Sequence, residues 1–223
     1  MISAGFAMPT IDKPSNNTDD AKAERNVVPH MRVFVGVQVA PEIARELAGL
    51  ACDLKQFSVR LVATADIHVT LVPPWNEASI SETLEKLRQV TNNFGAFALT
   101  FQRICYGPQP RRPRLLWAEC AATNEIAAFH AALIHVFGRK YERPFRPHAT
   151  LARFPRNGSA IARRRPIDQQ LALTQQVDSI ALFQSPPPGG GGYRVLASLE
   201  LAGSAACAAA NAQFFGPSLA DRS

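Results

Sequence analysis

Long apolar runs are missing from this chain: none reaches the roughly 18 residues that a membrane-spanning helix requires, so no membrane partner is expected. Paired cysteines are missing too. Cys52, Cys105, Cys120 and Cys207 form no CxxC pair and no metal-ligand spacing, which excludes a disulfide framework and a zinc site of the usual pattern. They read as reduced thiols of a cytoplasmic protein, with Cys52 and Cys120 packed against apolar neighbours. The opening MISAGFAMPT lacks a basic n-region and has only a brief apolar stretch, which predicts no signal peptide. Negative charge is in short supply: 18 acidic against 24 basic residues leave a net charge of +6, a balance that favours contact with phosphates. Histidine is scarce as well. With only five in 223 residues, where they fall carries information.

At 47% hydrophobic and 19% charged residues, the rest is an ordinary globular composition, long enough to bury a core without cross-links. Residues 1–30 show no sustained period and are rich in Asn, Asp, Lys and Pro, the mark of a disordered extension. MRVFVGVQVAP then alternates as a strand from Arg32 to Ala40. Pro41 opens a helix whose inner face is Ile43, Leu47, Leu50 and Leu54. SISETLEKLRQVTNNF predicts a second helix, capped by Ser79 or Ser81, with Ile80, Leu84 and Leu87 inward. AFALTFQRICYG and RLLWAECA read as strands joined by PQPRRP. A third helix carries Ile126, Phe129, Leu133 and Phe137 and stops at Gly138. A basic loop around RNGSAIARRRP leads to QVDSIALFQS, and PPPGGGG turns that strand into YRVLASLEL. The Ala-rich run from Ala202 on has no clear caps and is read as frayed or disordered. The folded domain is therefore 31–202, between tails at 1–30 and 203–223.

Two of the histidines sit in nearly the same tetrapeptide, HVTL at 68–71 and HATL at 148–151. Their surroundings match as well. In each case an alternating strand and an amphipathic helix come first, with 36 residues from Arg32 to His68 and 33 from Leu115 to His148. A duplicated unit predicts two lobes about a pseudo-two-fold axis. Side chains alternate along a strand, so His68 and Thr70 share one face, and His148 and Thr150 share another. If those strands are related by the axis, two imidazoles and two hydroxyls converge on one cleft. An imidazole pair can hold one base and one acid near neutral pH, and threonine hydroxyls can donate to phosphate oxygens. That is equipment for metal-free, in-line chemistry at a phosphodiester. His30, His130 and His135 are assigned no part in it. The spacing of the last two, five apart, does not align metal ligands on a helix.

HVTL and HATLAR in a duplicated scaffold resemble the 2H phosphoesterase superfamily, in its RNA 2′,3′-cyclic phosphodiesterase (2′-5′ RNA ligase) branch. MRVFVGVQVAPEI, PRRPRLLWAEC, RPFRPHATLAR and GGGGYRVLASLEL are similar to further segments of that branch, and the likeness runs from about Met31 to Leu201. It implies an α+β fold of two pseudo-symmetric, mainly antiparallel lobes, with helices on the outer faces and a central cleft. It implies that His68 is the general acid and His148 the general base, with Thr70 and Thr150 holding the phosphate and Arg153 lining the cleft. The reaction so implied opens a 2′,3′-cyclic phosphate at an RNA end to a 2′-phosphate, with 2′-5′ ligation as a companion activity and no metal or organic cofactor. The expected partners are RNA ends or oligonucleotides, tRNA fragments among them, met by a monomer.

The chain departs from the branch at VPPW, where an aromatic-Leu-Gly segment is common. Trp75 there reads either as a base-stacking platform or as a core residue. The basic loops offer Arg111, Arg112, Arg114, Arg143 and Arg146 for phosphate contact, while Arg163, Arg164 and Arg165 read as solvated charge. Two other functions stay open: a non-catalytic RNA- or nucleotide-binding module, and a phosphodiesterase acting on small cyclic nucleotides.

Overall fold

The computed structural model describes residues 31–140, 144–154, 158–187 and 192–203. The expectations for the two tails, His30, Cys207, Arg143 and the polyglycine turn lie outside or partly outside those residues. The described chain is α+β. Nine strands form one sheet: β1 (Met31–Gln38), β2 (Arg60–Leu61), β3 (His68–Glu77), β4 (Phe97–Gly107), β5 (Leu115–Cys120), β6 (His148–Arg153), β7 (Asp168–Val177), β8 (Ser179–Gln184) and β9 (Arg194–Glu200). Their order across the sheet is β7-β4-β5-β6-β3-β1-β8-β9, with β2 added to β6, and every pairing between these strands is antiparallel.

The duplication is visible in that order. On either side of the β6–β3 junction, the His-x-Thr strand pairs with the strand that opens its own half. β3 lies beside β1, and β6 beside β5. Each lobe then adds two further strands, and the lobes meet in a single continuous sheet rather than as separate bodies.

The helices are α1 (Pro41–Leu50), α2 (Ile80–Thr91), α3 (Asn124–Val136) and the short α4 (Ser159–Arg164). The main core combines apolar residues of α1, α2 and α3 with one face of the sheet. It includes Val33, Val35, Val37, Leu47, Leu87, Phe129, Leu133, Val69, Leu71, Ala149 and Leu151. A second, small cluster of Phe34, Ala181 and Phe183, with Tyr193 against it, stands apart from that core. In β1, therefore, alternation separates two buried environments, with the valines in one and Phe34 in the other.

Local chemistry explains most boundaries. Pro41 occupies the first turn of α1, and Ser79 caps α2 by accepting from the Glu82 N–H at 3.4 Å. Gly138, at φ 60°, ends α3 in the left-handed conformation that suits glycine. Gly36 is required by close approach: a Cβ there would stand 2.7 Å from the Val69 carbonyl of the neighbouring strand.

Some expectations are corrected. α1 stops at Leu50, and Leu54 reaches the core from a separate 3₁₀ turn, Cys52–Gln56. Cys52 is exposed on that turn, not packed among apolar groups, whereas Cys120 is buried. The basic stretch itself contains α4, and it does not run straight to β8, for the ten-residue β7 intervenes. β7 is an edge strand paired only with β4, and most of its side chains face solvent, so little hydrophobic alternation marks it. Ala202 is tied down, its N–H shared by the Thr91 and Phe94 carbonyls at 3.1 and 2.9 Å. No helix of the described residues is long and apolar enough to cross a membrane.

Candidate active site

One pairing joins the two His-x-Thr strands: Val69 of β3 lies opposite Ala149 of β6, both fully buried on the core side. Because these strands are antiparallel, that register sets His68 across from Thr150 and Thr70 across from His148. All four point away from the core, onto the other face. The two histidines are diagonal neighbours, a relation of about 7–8 Å across a ladder and somewhat less between Cβ atoms. Each of the four is partly buried. Twofold pairing of the motifs thus comes from a single ladder position.

The imidazoles are held in the same way. His68 Nδ1 is 2.7 Å from the Asp66 carbonyl oxygen, and His148 Nδ1 is 2.7 Å from the Arg146 carbonyl oxygen. A carbonyl only accepts, so Nδ1–H must be the donor in both rings. Nε2 is then the nitrogen left to exchange a proton in each. Burial lowers both pKa values below the ordinary histidine range, against the opposing pull of these backbone hydrogen bonds. The Arg153 charge pushes in the same downward direction on both rings, while Glu119 opposes it at His148 and Asp66 opposes it at His68.

The walls differ. His68 sits in an aromatic nest: its ring centroid is 4.8 Å from Phe34, 5.5 Å from Phe183 and 4.9 Å from Tyr193. Tyr193 is anchored by its N–H, which donates to Asp66 Oδ1 at 2.9 Å. His148 lies 4.3 Å from Trp117, over which the Arg146 guanidinium stacks at 5.3 Å. Arg146 also pairs with Glu119 at 2.5 Å. His68, Thr70 and Arg153 line an open hollow of about 610 Å³, whereas His148 lines a different one of about 310 Å³ that shares none of its lining residues, so the single cleft expected from the sequence is divided into two hollows. Thr150, on the seam of β3 and β6 opposite Trp117 of β5 and across from His68, lines neither hollow.

Of the arginines proposed from the loops, Arg146 borders the His148 hollow, while Arg111, Arg112 and Arg114 are exposed and line neither. Arg165 forms an ion pair with Asp53, and Arg163 and Arg164 are exposed. Trp75 is not in the cleft. It packs on Phe137 at 5.0 Å, carries Arg139 over its ring and donates to Glu77 at 2.8 Å. His130 is buried, its Nδ1 2.8 Å from the Leu71 carbonyl, and His135 is exposed. Phe34, Trp117, Tyr193 and Arg60 escape the sequence reading as site residues. The period-two alternation of β1 places Phe34 with Gly36 and Gln38, but only the sheet register shows that this set flanks His68. Among the described residues, no group of three or more His, Cys, Asp or Glu side chains clusters as a metal site.

Paired His-x-Thr strands meeting across the middle of one antiparallel α+β sheet define a protein of the 2H phosphoesterase class. Within it, this chain belongs to the 2′-5′ RNA ligase superfamily, whose family model matches residues 63–186 and so spans both motifs. A curated relative, the RNA 2′,3′-cyclic phosphodiesterase of Archaeoglobus fulgidus, is 25% identical over 138 residues, 59% of this chain and 77% of that protein. Among solved structures, TT0787 of Thermus thermophilus superposes with a TM-score of 0.62 at 23% identity, over 77% of this chain and 98% of that one. E. coli LigT complexed with 3′-AMP does so at 0.58 and 20% identity, over 78% and 99%. These two likenesses concern the fold.

Proposed function

We propose that this protein is a phosphodiesterase that opens 2′,3′-cyclic phosphate ends of RNA to 2′-phosphates without a metal. The observation that carries the reading is the Val69–Ala149 register, which sets two tautomer-fixed histidines and two threonines on one face. In the proposed reaction, His148 Nε2 takes a proton from water as its oxygen attacks phosphorus. The bond from phosphorus to the ribose 3′-oxygen breaks, and His68, protonated on Nε2, gives its proton to that oxygen. The 2′-phosphate and a free 3′-hydroxyl remain. Thr70 and Thr150 donate to non-bridging oxygens, and Arg153 offsets their charge. The family resemblance, rather than the nearly symmetric geometry, assigns acid and base. Kinship with a cyclic phosphodiesterase supports the substrate class, as does the surplus of arginine.

The test is incubation with an oligonucleotide ending in 2′,3′-cyclic phosphate, followed by identification of the end group. A 2′-phosphate is expected, and turnover is expected to persist in excess EDTA. An unchanged end would overturn the reading, and abolition by chelator would overturn its metal-free part. The same step with a ribose 5′-hydroxyl in place of water would give 2′-5′ ligation, detectable on the same oligonucleotide.

A further inference from the structure

The two hollows flanking the seam differ in charge. On the His148 side both arginines are matched: Arg146 pairs with Glu119, and Arg103 pairs with Asp168 at 2.5 Å. On the His68 side, Arg32, Arg60 and Arg153 line the hollow, and none forms an ion pair among the described residues. The carboxylate there, Asp66, already accepts from the Tyr193 N–H. Arg60 and Arg153 stand directly opposite each other in the β2–β6 ladder. Like charges at facing positions destabilise a sheet unless an anion comes between them. β2 itself is only two residues long, lies off the main strand order, and carries this arginine from the first lobe to the second lobe's His-x-Thr strand. Space is asymmetric too. Gly36 puts no side chain opposite Thr70, whereas at the matching place in the other half Trp117 stands opposite Thr150.

We propose that Arg60, beside the Arg153 that serves the reacting group, forms a second phosphate subsite, which receives a phosphate on the 5′-oxygen of the nucleotide whose 2′,3′-phosphate reacts. The inference rests on the phosphodiesterase reading for its placement, and it deepens that reading. The substrate runs out along the His68 hollow, and the preferred class is an oligonucleotide or a 5′-phosphorylated nucleotide rather than a bare nucleoside cyclic phosphate.

Binding of product-type ligands tests this independently of turnover. The ligands are uridine 2′-phosphate, its 5′-phosphorylated form, a UpU dinucleotide ending in 2′-phosphate, and that dinucleotide with an uncharged methylphosphonate linkage. Removing the linkage charge is expected to weaken binding to the unaltered protein about tenfold, and in Arg60→Ala the two dinucleotides are expected to converge. The slope of log affinity against log salt for the natural dinucleotide is expected to become shallower by about 0.7 in that variant. Equal binding of both dinucleotides by the unaltered protein overturns the subsite even if the variant fails to fold. A loss in Arg60→Ala that is the same for every ligand overturns it as well. The 5′-phosphorylated mononucleotide separates sources: a gain as large as that of the dinucleotide assigns the subsite to the phosphate alone, a smaller one to the chain. Hydrolysis of the corresponding cyclic phosphates is read in parallel. Its absence alongside intact charge discrimination would defeat the phosphodiesterase reading and leave the subsite standing.

Discussion

A carbonyl oxygen two residues upstream decides what each site histidine can do. With Nδ1–H committed to Asp66 in one ring and Arg146 in the other, proton exchange is confined to Nε2, the tautomer control common at catalytic imidazoles. Burial lowers both pKa values, so the free protein holds both rings neutral at pH 7, and an acid must be made by protonating one of them. Since kcat/KM reports free-enzyme ionisations, its pH profile is expected to be bell-shaped with its maximum on the acid side of about 6.5. A flat profile would argue against a paired acid and base. His68→Ala and His148→Ala are each expected to reduce turnover by about 10²- to 10⁴-fold. Because both rings are only partly buried, the midpoint of thermal unfolding is expected to move by only a few degrees, which calorimetry would check.

At the scale of elements, the end of β3 and the start of α2 are joined through one carboxylate. Glu77 Oε1 accepts from the Ala78 and Ser79 N–H groups at 2.8 and 3.0 Å, and Oε2 accepts from Trp75 Nε1 and Thr83 Oγ1 at 2.8 and 2.9 Å. Burial would raise its pKa, but these four donors outweigh it and hold the carboxyl at about 2. Glu77→Ala orphans those donors and is expected to cost about 1–3 kcal/mol in denaturant unfolding. Trp75 is one of the four, which is why it belongs to this joint and not to a base platform. Most elements were legible from the sequence because their patterns are strong. The valines of β1, the Ser79 cap of α2 and the Gly138 stop of α3 are local signals with local causes. β7 was not legible, since an edge strand with solvent on most sides has no core to select its residues. Leu54 misled in the opposite way: helical spacing continues past Leu50 in the sequence, yet the backbone changes to a 3₁₀ turn before delivering it to the core.

For the whole molecule, three partly or fully buried histidines share one direction of shift. His68, His148 and His130 all titrate below the ordinary value, primarily through desolvation. The unfolded chain takes up protons near pH 6.5 while the folded protein does not, so folding stability is expected to fall as pH drops below about 6.5 and to level off below the folded pKa values. Glu77 adds a later loss, with its contribution intact above the usual carboxylate range and disappearing as pH falls towards 2. Urea midpoints measured from pH 8 to 4 would check this, and a midpoint unchanged between pH 7 and 5 would contradict the histidine part. Phosphate-type anions bound at the seam favour imidazolium and are expected to shift the decline to lower pH.

Sequence alone determined that two His-x-Thr strands exist in a duplicated α/β pattern, because alternation, helix periodicity and caps are written into neighbouring residues. It also determined which side chains share a face within each strand. Only tertiary structure decided that Val69 meets Ala149, that Phe34 and Tyr193 surround one imidazole while Trp117 flanks the other, and that Arg60 faces Arg153. Strand register joins residues far apart in the chain through the packing of the whole sheet, and no local pattern carries that information.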